Sequence, residues 1–345
     1  MIFAIILSVL LFISLLGHFT QFVSRTLTFN SGFRGGITRD VGPRLEECVI
    51  EDNDASSKIA VVRVDGIITD QRVDGAGNSM VDIIRAQLNR AKKDNRVKAV
   101  LLKVNSPGGE VLASDEIKKA VARFQDDSGK PVICSMGSLA ASGGYYVSVP
   151  SRWIVANPLT ITGSIGVVLH SWNYRGLMDK VGLAPVTYKS GKFKDMLSGD
   201  RSTNEIPPEE RTMVQGLIDE TYQQFKGVVA DGRKVAHEKN KKEGRALVDD
   251  WANYADGRVF SGQKALDYGF VDELGDFDKA VERTKKIAGI HNATLVEYRM
   301  RYDISDFFRM FGQSESAHTI KLDLGMEFPK LRAGELYFLS STLEN

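Results

Sequence analysis

The residues best suited to covalent chemistry surround Ser142, in Ala140-Ala141-Ser142-Gly143-Gly144-Tyr145-Tyr146, shortly after the apolar run Val132-Ile133-Cys134. A serine set among Ala and Gly at a strand exit has no bulky neighbour to bar a substrate. Gly143 and Gly144 let the backbone turn tightly and leave amide N–H groups free to face a developing oxyanion. Upstream, Val97-Lys98-Ala99-Val100-Leu101-Leu102-Lys103-Val104 runs into Asn105-Ser106-Pro107-Gly108-Gly109, a second Gly-rich exit. One exit offers a nucleophile and both offer oxyanion donors, which are the parts of an acyl-transfer site.

A serine hydroxyl also needs a base. No His–Asp pair lies nearby, but Tyr188-Lys189-Ser190-Gly191-Lys192-Phe193-Lys194-Asp195 supplies three lysines. A lysine accepts a proton near neutrality only if its pKa falls from about 10.4, which takes burial worth roughly 4 kcal/mol. Lys189, Lys192 and Lys194 are all candidates, and Phe193 could shield the ammonium of Lys194 from water. Ser164, in Thr162-Gly163-Ser164-Ile165-Gly166, is a candidate hydrogen-bond partner to hold the lysine. Ser261-Gly262-Gln263-Lys264 satisfies the S-x-x-K pattern as well, but Ser261 stands where a helix N-cap belongs, so a capping role is expected.

These loops need elements to aim them. Ile59-Ala60-Val61-Val62-Arg63-Val64 reads as a buried strand continued by Gly66-Ile67-Ile68-Thr69, and Met80 to Ala91 has helical spacing at Ile83, Ile84, Leu88 and Ala91. A strand from Val97 to Val104, a helix from Ser114 to Phe124, a strand from Pro131 to Ser135 and a strand Trp153-Ile154-Val155-Ala156 follow. Pro207-Pro208-Glu209-Glu210 opens a long helix with Met213, Val214, Leu217, Ile218, Phe225 and Val229 on one apolar face. A further helix is expected around Asp278 to Ile287. Alternating strands and helices imply parallel βαβ units with right-handed crossovers, which place ligand loops at the C-terminal ends of the strands.

Composition narrows the function classes. The 345 residues are 43% hydrophobic and carry 45 basic against 44 acidic side chains, so no charge field points to nucleic acid. Cys48 and Cys134 lack C-x-x-C partners, and Cys134 reads as packed core. The five histidines have no metal-ligand spacing, so neither a metal nor another cofactor is expected. Asn292-Ala293-Thr294 matches a glycosylation acceptor only weakly. Met1 to Leu16 carries no charge, and the apolar character persists to Val23, just long enough to span a bilayer. With no basic residue ahead of it and no A-x-A site after it, an uncleaved anchor is expected over a signal peptide. The arginines that follow (Arg25, Arg34, Arg39, Arg44), taken alone, place the body in the cytoplasm.

The block from Ile59 to about Ile287 resembles the signal peptide peptidase A family of membrane-bound serine peptidases, in its half-length form. The ordered landmarks are Asn105-Ser106-Pro107-Gly108-Gly109, Ala141-Ser142-Gly143-Gly144-Tyr145-Tyr146, Thr162-Gly163-Ser164-Ile165-Gly166-Val167, Gly191-Lys192-Phe193-Lys194-Asp195 and Gly257-Arg258-Val259-Phe260-Ser261-Gly262. The resemblance implies an α/β, ClpP/crotonase-like fold of repeated β-β-α units behind an N-terminal transmembrane helix. It implies Ser142 as nucleophile, Lys194 as general base, Ser164 orienting the lysine, and backbone amides of Gly108 or Gly109 and Gly143 as the oxyanion hole. It further implies a membrane-anchored, extracytoplasmic homo-oligomeric ring that degrades cleaved signal peptides and other apolar membrane-derived peptides. The expected layout is an anchor over 1–23, a tether over 24–57, a peptidase domain over 58–290 and a C-terminal extension over 291–345. The rival readings are a crotonase-fold protein that binds acyl thioesters without a serine nucleophile, and an inactive membrane-anchored scaffold.

Overall fold

A computed structural model of the chain describes residues 42–74, 77–301 and 337–339. The expected anchor and most of the extension lie outside the described residues. Among the described residues, no helix is long and apolar enough to cross a membrane.

The strands are β1 (Leu45–Glu51), β2 (Lys58–Asp65), β3 (Val97–Ser106), β4 (Gly108–Glu110), β5 (Val132–Ala141), β6 (Trp153–Ala156), β7 (Ile161–Gly163), β8 (Val259–Ser261), β9 (Glu273–Leu274), β10 (Thr294–Met300) and β11 (Tyr337–Leu339). The helices are α1 (Met80–Lys93), α2 (Val111–Ser128), α3 (Gly143–Ser148), α4 (Arg175–Lys180), α5 (Pro208–Lys239), α6 (Gly262–Asp267) and α7 (Phe277–Ala288). The main sheet runs β1-β10-β2-β3-β5-β6-β9, with β7 paired to β5 and β8 to β7. Every neighbouring pair from β10 to β9 is parallel, while β1 and β8 join antiparallel. The fold is therefore mixed α/β around a parallel-rich sheet, as the alternating pattern predicts.

The period of two along β2 sorts its side chains onto two faces. Ala60, Val62 and Val64 meet Ile84 and Leu88 of α1 and Ile117 and Val121 of α2. Ile59 and Val61 meet Ala280 and Val281 of α7 on the other face. Helix α1 starts at a capping box, in which Ser79 and Asp82 each bond the other's backbone. The buried Arg233 of α5 pairs with Asp272, just ahead of β9, and so ties the long helix to the sheet edge.

Three expectations need correction. The strand β1 falls inside the stretch read as a tether, where Leu45-Glu46-Glu47-Cys48-Val49-Ile50-Glu51 lacks clean alternation because an edge strand is half solvated. The strand β10 falls inside the stretch read as an extension, yet it lies between β1 and β2 and is mostly buried. In α5 the apolar stripe is not buried along its length. Phe225 and Val229 are in the core, but Met213 and Leu217 are exposed because, among the described residues, the core does not extend to the first turns of the helix.

Candidate active site

Three strand exits converge. β3, β5 and β7 are neighbours, with Ser106 level with Ala140 and Ala141 level with Gly163. Their C-terminal ends therefore bring Gly108, Ser142 and Ser164 to one edge, and Thr162 Oγ1 donates to Ala140 O at 2.7 Å to lock β7 onto β5. Ser142 N donates to Gly163 O at 2.8 Å, and Ser164 N donates to Arg258 O at 2.7 Å.

Ser142 directly follows β5 and stands at the N-cap of α3 with φ 54° and ψ −118°, a conformation that a non-glycine residue rarely holds. Its side chain is buried and, among the described residues, Oγ has no hydrogen-bond partner. It is a buried hydroxyl held by strained backbone and left uncommitted. Immediately after it, Gly143 begins α3, where first-turn amides have no intrahelical acceptor. A Cβ on Gly143 would lie 2.7 Å from Ser114 Oγ, 3.0 Å from Gly108 Cα and 3.1 Å from Gly109 N. The two Gly-rich exits thus touch backbone to backbone, which only glycine permits.

The Gly108 N–H is received by Ser106 Oγ at 3.1 Å. Gly108 O accepts from Ile68 N, and Glu110 N donates to Ile68 O, both at 2.8 Å. Backbone groups alternate sides along a strand, so the N–H and C=O of Gly109 face away from Ile68, towards the edge of β4 that β11 pairs with.

The lysines stand apart from this cluster. Lys189 pairs with Asp195 at 2.7 Å and Lys192 with Glu209 at 3.2 Å. Lys194 is exposed and, among the described residues, has no acidic partner and no hydrogen bond to Ser142 or Ser164. Its segment is nonetheless fixed at both sides. Asp195 receives Lys189 and Arg201, and buried Glu210 receives Arg201 and the Leu197 amide. The Lys189 hydrogen bond holds the Asp195 carboxyl below its ordinary value. Burial pushes Glu210 up, but Arg201 and the Leu197 amide outweigh it and leave that carboxyl lowered too.

Other candidates settle into structural roles. Ser261 Oγ accepts from Lys264 N at 3.3 Å and caps α6, while the Lys264 ammonium turns to Asp267. Cys134 is fully buried, and burial pushes its thiol up to about 12. Asn292 donates its side-chain amide to Asn53 O, and Thr294 is buried in β10. Sequence reasoning missed Ser106 as the acceptor that fixes Gly108, Ser114 as the side chain against Gly143, and the Asp195–Arg201–Glu210 network. The first two are ordinary serines whose partners are set by long-range packing.

The family model described as Peptidase family S49 matches residues 124–291. A protein of Enterococcus faecium named as a signal peptide peptidase SppA is 35% identical over 261 residues, covering 74% of this chain and 71% of its own length. A Synechocystis protein named as a protease is 38% identical over 233 residues, covering 68% of this chain and 75% of its own. Protease 4 of Salmonella typhi is 36% identical over 246 residues, covering 71% of this chain and 37% of that longer protein.

Proposed function

Given that the chain belongs to peptidase family S49 and is a serine peptidase, we propose that Ser142 is its nucleophile and Lys194 its general base. The observation that carries this reading is the buried, unpartnered Oγ of Ser142 beside the backbone contact of Gly143 with Gly108 and Gly109. In this reading the fold is of the ClpP/crotonase-like type.

Ser142 Oγ attacks the scissile carbonyl while its proton passes to the neutral amine of Lys194. The carbonyl oxygen gathers negative charge against backbone amides of the Gly108–Gly109 exit and of Gly143. Collapse of the tetrahedral intermediate breaks the C–N bond, and Lys194 returns the proton to the leaving amine. Water then attacks the acyl-enzyme, giving its proton to Lys194, and the acid departs as Ser142 Oγ is reprotonated. Ser164, buried one residue after Gly163, orients the lysine once it enters.

Lys194 enters, in this reading, from a neighbouring copy in a homo-oligomeric ring. Two observations favour a shared site: Lys194 is unpaired among the described residues, and the segment ahead of it exposes Trp172, Leu177, Leu183, Val186 and Tyr188. An apolar surface of that extent is what a subunit contact buries. The substrates are extended apolar peptides, cleaved signal peptides among them, and the body sits outside the cytoplasm on an N-terminal anchor.

The test uses two inactive chains. Ser142→Ala and Lys194→Ala should each lose hydrolysis of apolar peptides, and co-assembling them should restore part of it. No recovery from proven mixed oligomers places the dyad within one chain. Fluorophosphonate labelling of Ser142 separates the peptidase from a thioester-binding protein of similar fold or an inactive scaffold.

A further inference from the structure

Strand β5 does not reach Ser142 by regular pairing. Its register against β3 sets Val104 level with Met136 and Ser106 level with Ala140, so Asn105 alone faces Gly137-Ser138-Leu139. On its other side β5 changes neighbour over the same stretch. Residues 133–136 pair with β6, whereas residues 139–141 pair with β7. The irregular stretch is a joint between two regular ladders, and the second ladder ends at Ser142. Extra residues in one strand bend it and re-aim the side chains that follow, which is why bulges gather beside active sites.

A joint of this kind has backbone groups that the ladder does not pair regularly, and side chains meet them here. Asn105 Oδ1 accepts from Leu139 N at 3.2 Å. Only the carbonyl end of a carboxamide can receive an N–H, so the bond also fixes which way the amide is turned. On the far side, Thr160 Oγ1 donates to Gly137 O at 2.8 Å and accepts from Asn157 N at 3.1 Å. Asn105 is itself anchored, because it pairs with Asp65 of β2 and its backbone O accepts from Gly66 N at 3.0 Å. Gly137 leaves the room: a Cβ there would lie 3.0 Å from Asn105 Oδ1 and 3.1 Å from its Cβ and Cγ.

Building on the assignment of Ser142 as nucleophile, we propose that Asn105 is a positioning residue for it. The side-chain carbonyl pins the Leu139 amide, and that amide sets the register in which the end of β5 delivers Ser142 Oγ to the oxyanion amides. Asn105 touches none of the reacting atoms and acts through the strand. The leverage is large, since a strand advances about 3.3 Å per residue and a slip of one residue turns each side chain to the other face. A shift far smaller than a full slip matters to chemistry, because about 1 Å of misplacement costs on the order of a hundredfold in rate.

Asn105→Leu in the full chain keeps the size of the side chain and removes the acceptor, whereas Asn105→Asp keeps an acceptor in the same place. For Asn105→Leu we expect kcat on an apolar peptide and the rate of fluorophosphonate labelling of Ser142 to fall together by about a hundredfold, with KM held within about twofold. Asn105→Asp should recover most of both rates. A leucine variant that matches the parent in kcat and labelling, or an aspartate variant as slow as the leucine one, would overturn the proposal. Should Asn105→Leu not fold, Asn105→Ser, too short to reach the Leu139 amide, is read in the same way. If the parent itself is not labelled, the serine assignment is what fails, and the joint is then read from amide exchange over residues 137–142. Faster exchange in Asn105→Leu with parent-like exchange in Asn105→Asp supports the positioning role, and equal exchange in all three overturns it.

Discussion

Ser142 and Lys194 differ in how firmly this chain holds them. The serine is fixed by its strand, its glycine neighbours and the bond from its amide to Gly163 O, whereas the lysine stands exposed on a braced segment. Among the three lysines, ion pairing separates the candidates. Lys189 is occupied by Asp195 and Lys192 by Glu209, so Lys194 alone has an ammonium free of both acids. Lys192→Ala should therefore retain most peptide hydrolysis and Lys194→Ala should lose nearly all of it, as members of one catalytic unit do. The reverse result in a peptidase assay would move the base to Lys192. The nucleophile was legible because small residues at a strand exit form a local pattern. The free lysine was not, because its distinction depends on which neighbours the acids of α5 reach.

At the scale of elements, the segment that carries Lys194 is clamped to the start of α5 by Asp195, Arg201 and Glu210. Both carboxyls sit below their ordinary values in the folded chain. The stability they lend is thus present above the ordinary carboxylate range and is lost as pH falls through their lowered values. Arg201 keeps its charge throughout. Acidification to about pH 3 should accordingly loosen residues 189–201 before the sheet melts, which amide exchange or limited proteolysis would register. Equal protection of this segment and the core strands at that pH would count against the clamp. The parallel strands β2, β3, β5 and β6 were readable because strands buried on both faces are continuous apolar runs. β1 and β10 were not, since they pair with each other from distant parts of the chain and one is a solvated edge. The apolar stripe of α5 was readable as a stripe, but sequence cannot say whether the surface that covers it belongs to the same chain.

For the whole molecule, these strands redraw the boundary of the body. Residues from Gly42 onward cluster as one unit, and β1 covers the edge of β10. A chain beginning near Ser57 would uncover that edge, which is a template for strand pairing between molecules. We expect a chain beginning at Gly42 to stay dispersed and a chain beginning near Ser57 to aggregate. Light scattering of the two at equal concentration checks this, and indistinguishable behaviour would make β1 dispensable.

The backbone of Ser142 carries a consequence for the stability of the molecule as a whole. A side chain at φ 54° and ψ −118° costs on the order of 1–3 kcal/mol. The hydroxyl does not offset that cost, since among the described residues it makes no hydrogen bond. Glycine would remove the strain, at an expense of about 1 kcal/mol in the greater freedom of the unfolded chain. Ser142→Gly should therefore melt at or above the parent temperature while hydrolysing nothing. A side chain held in so unfavourable a conformation answers to a demand that folding does not make.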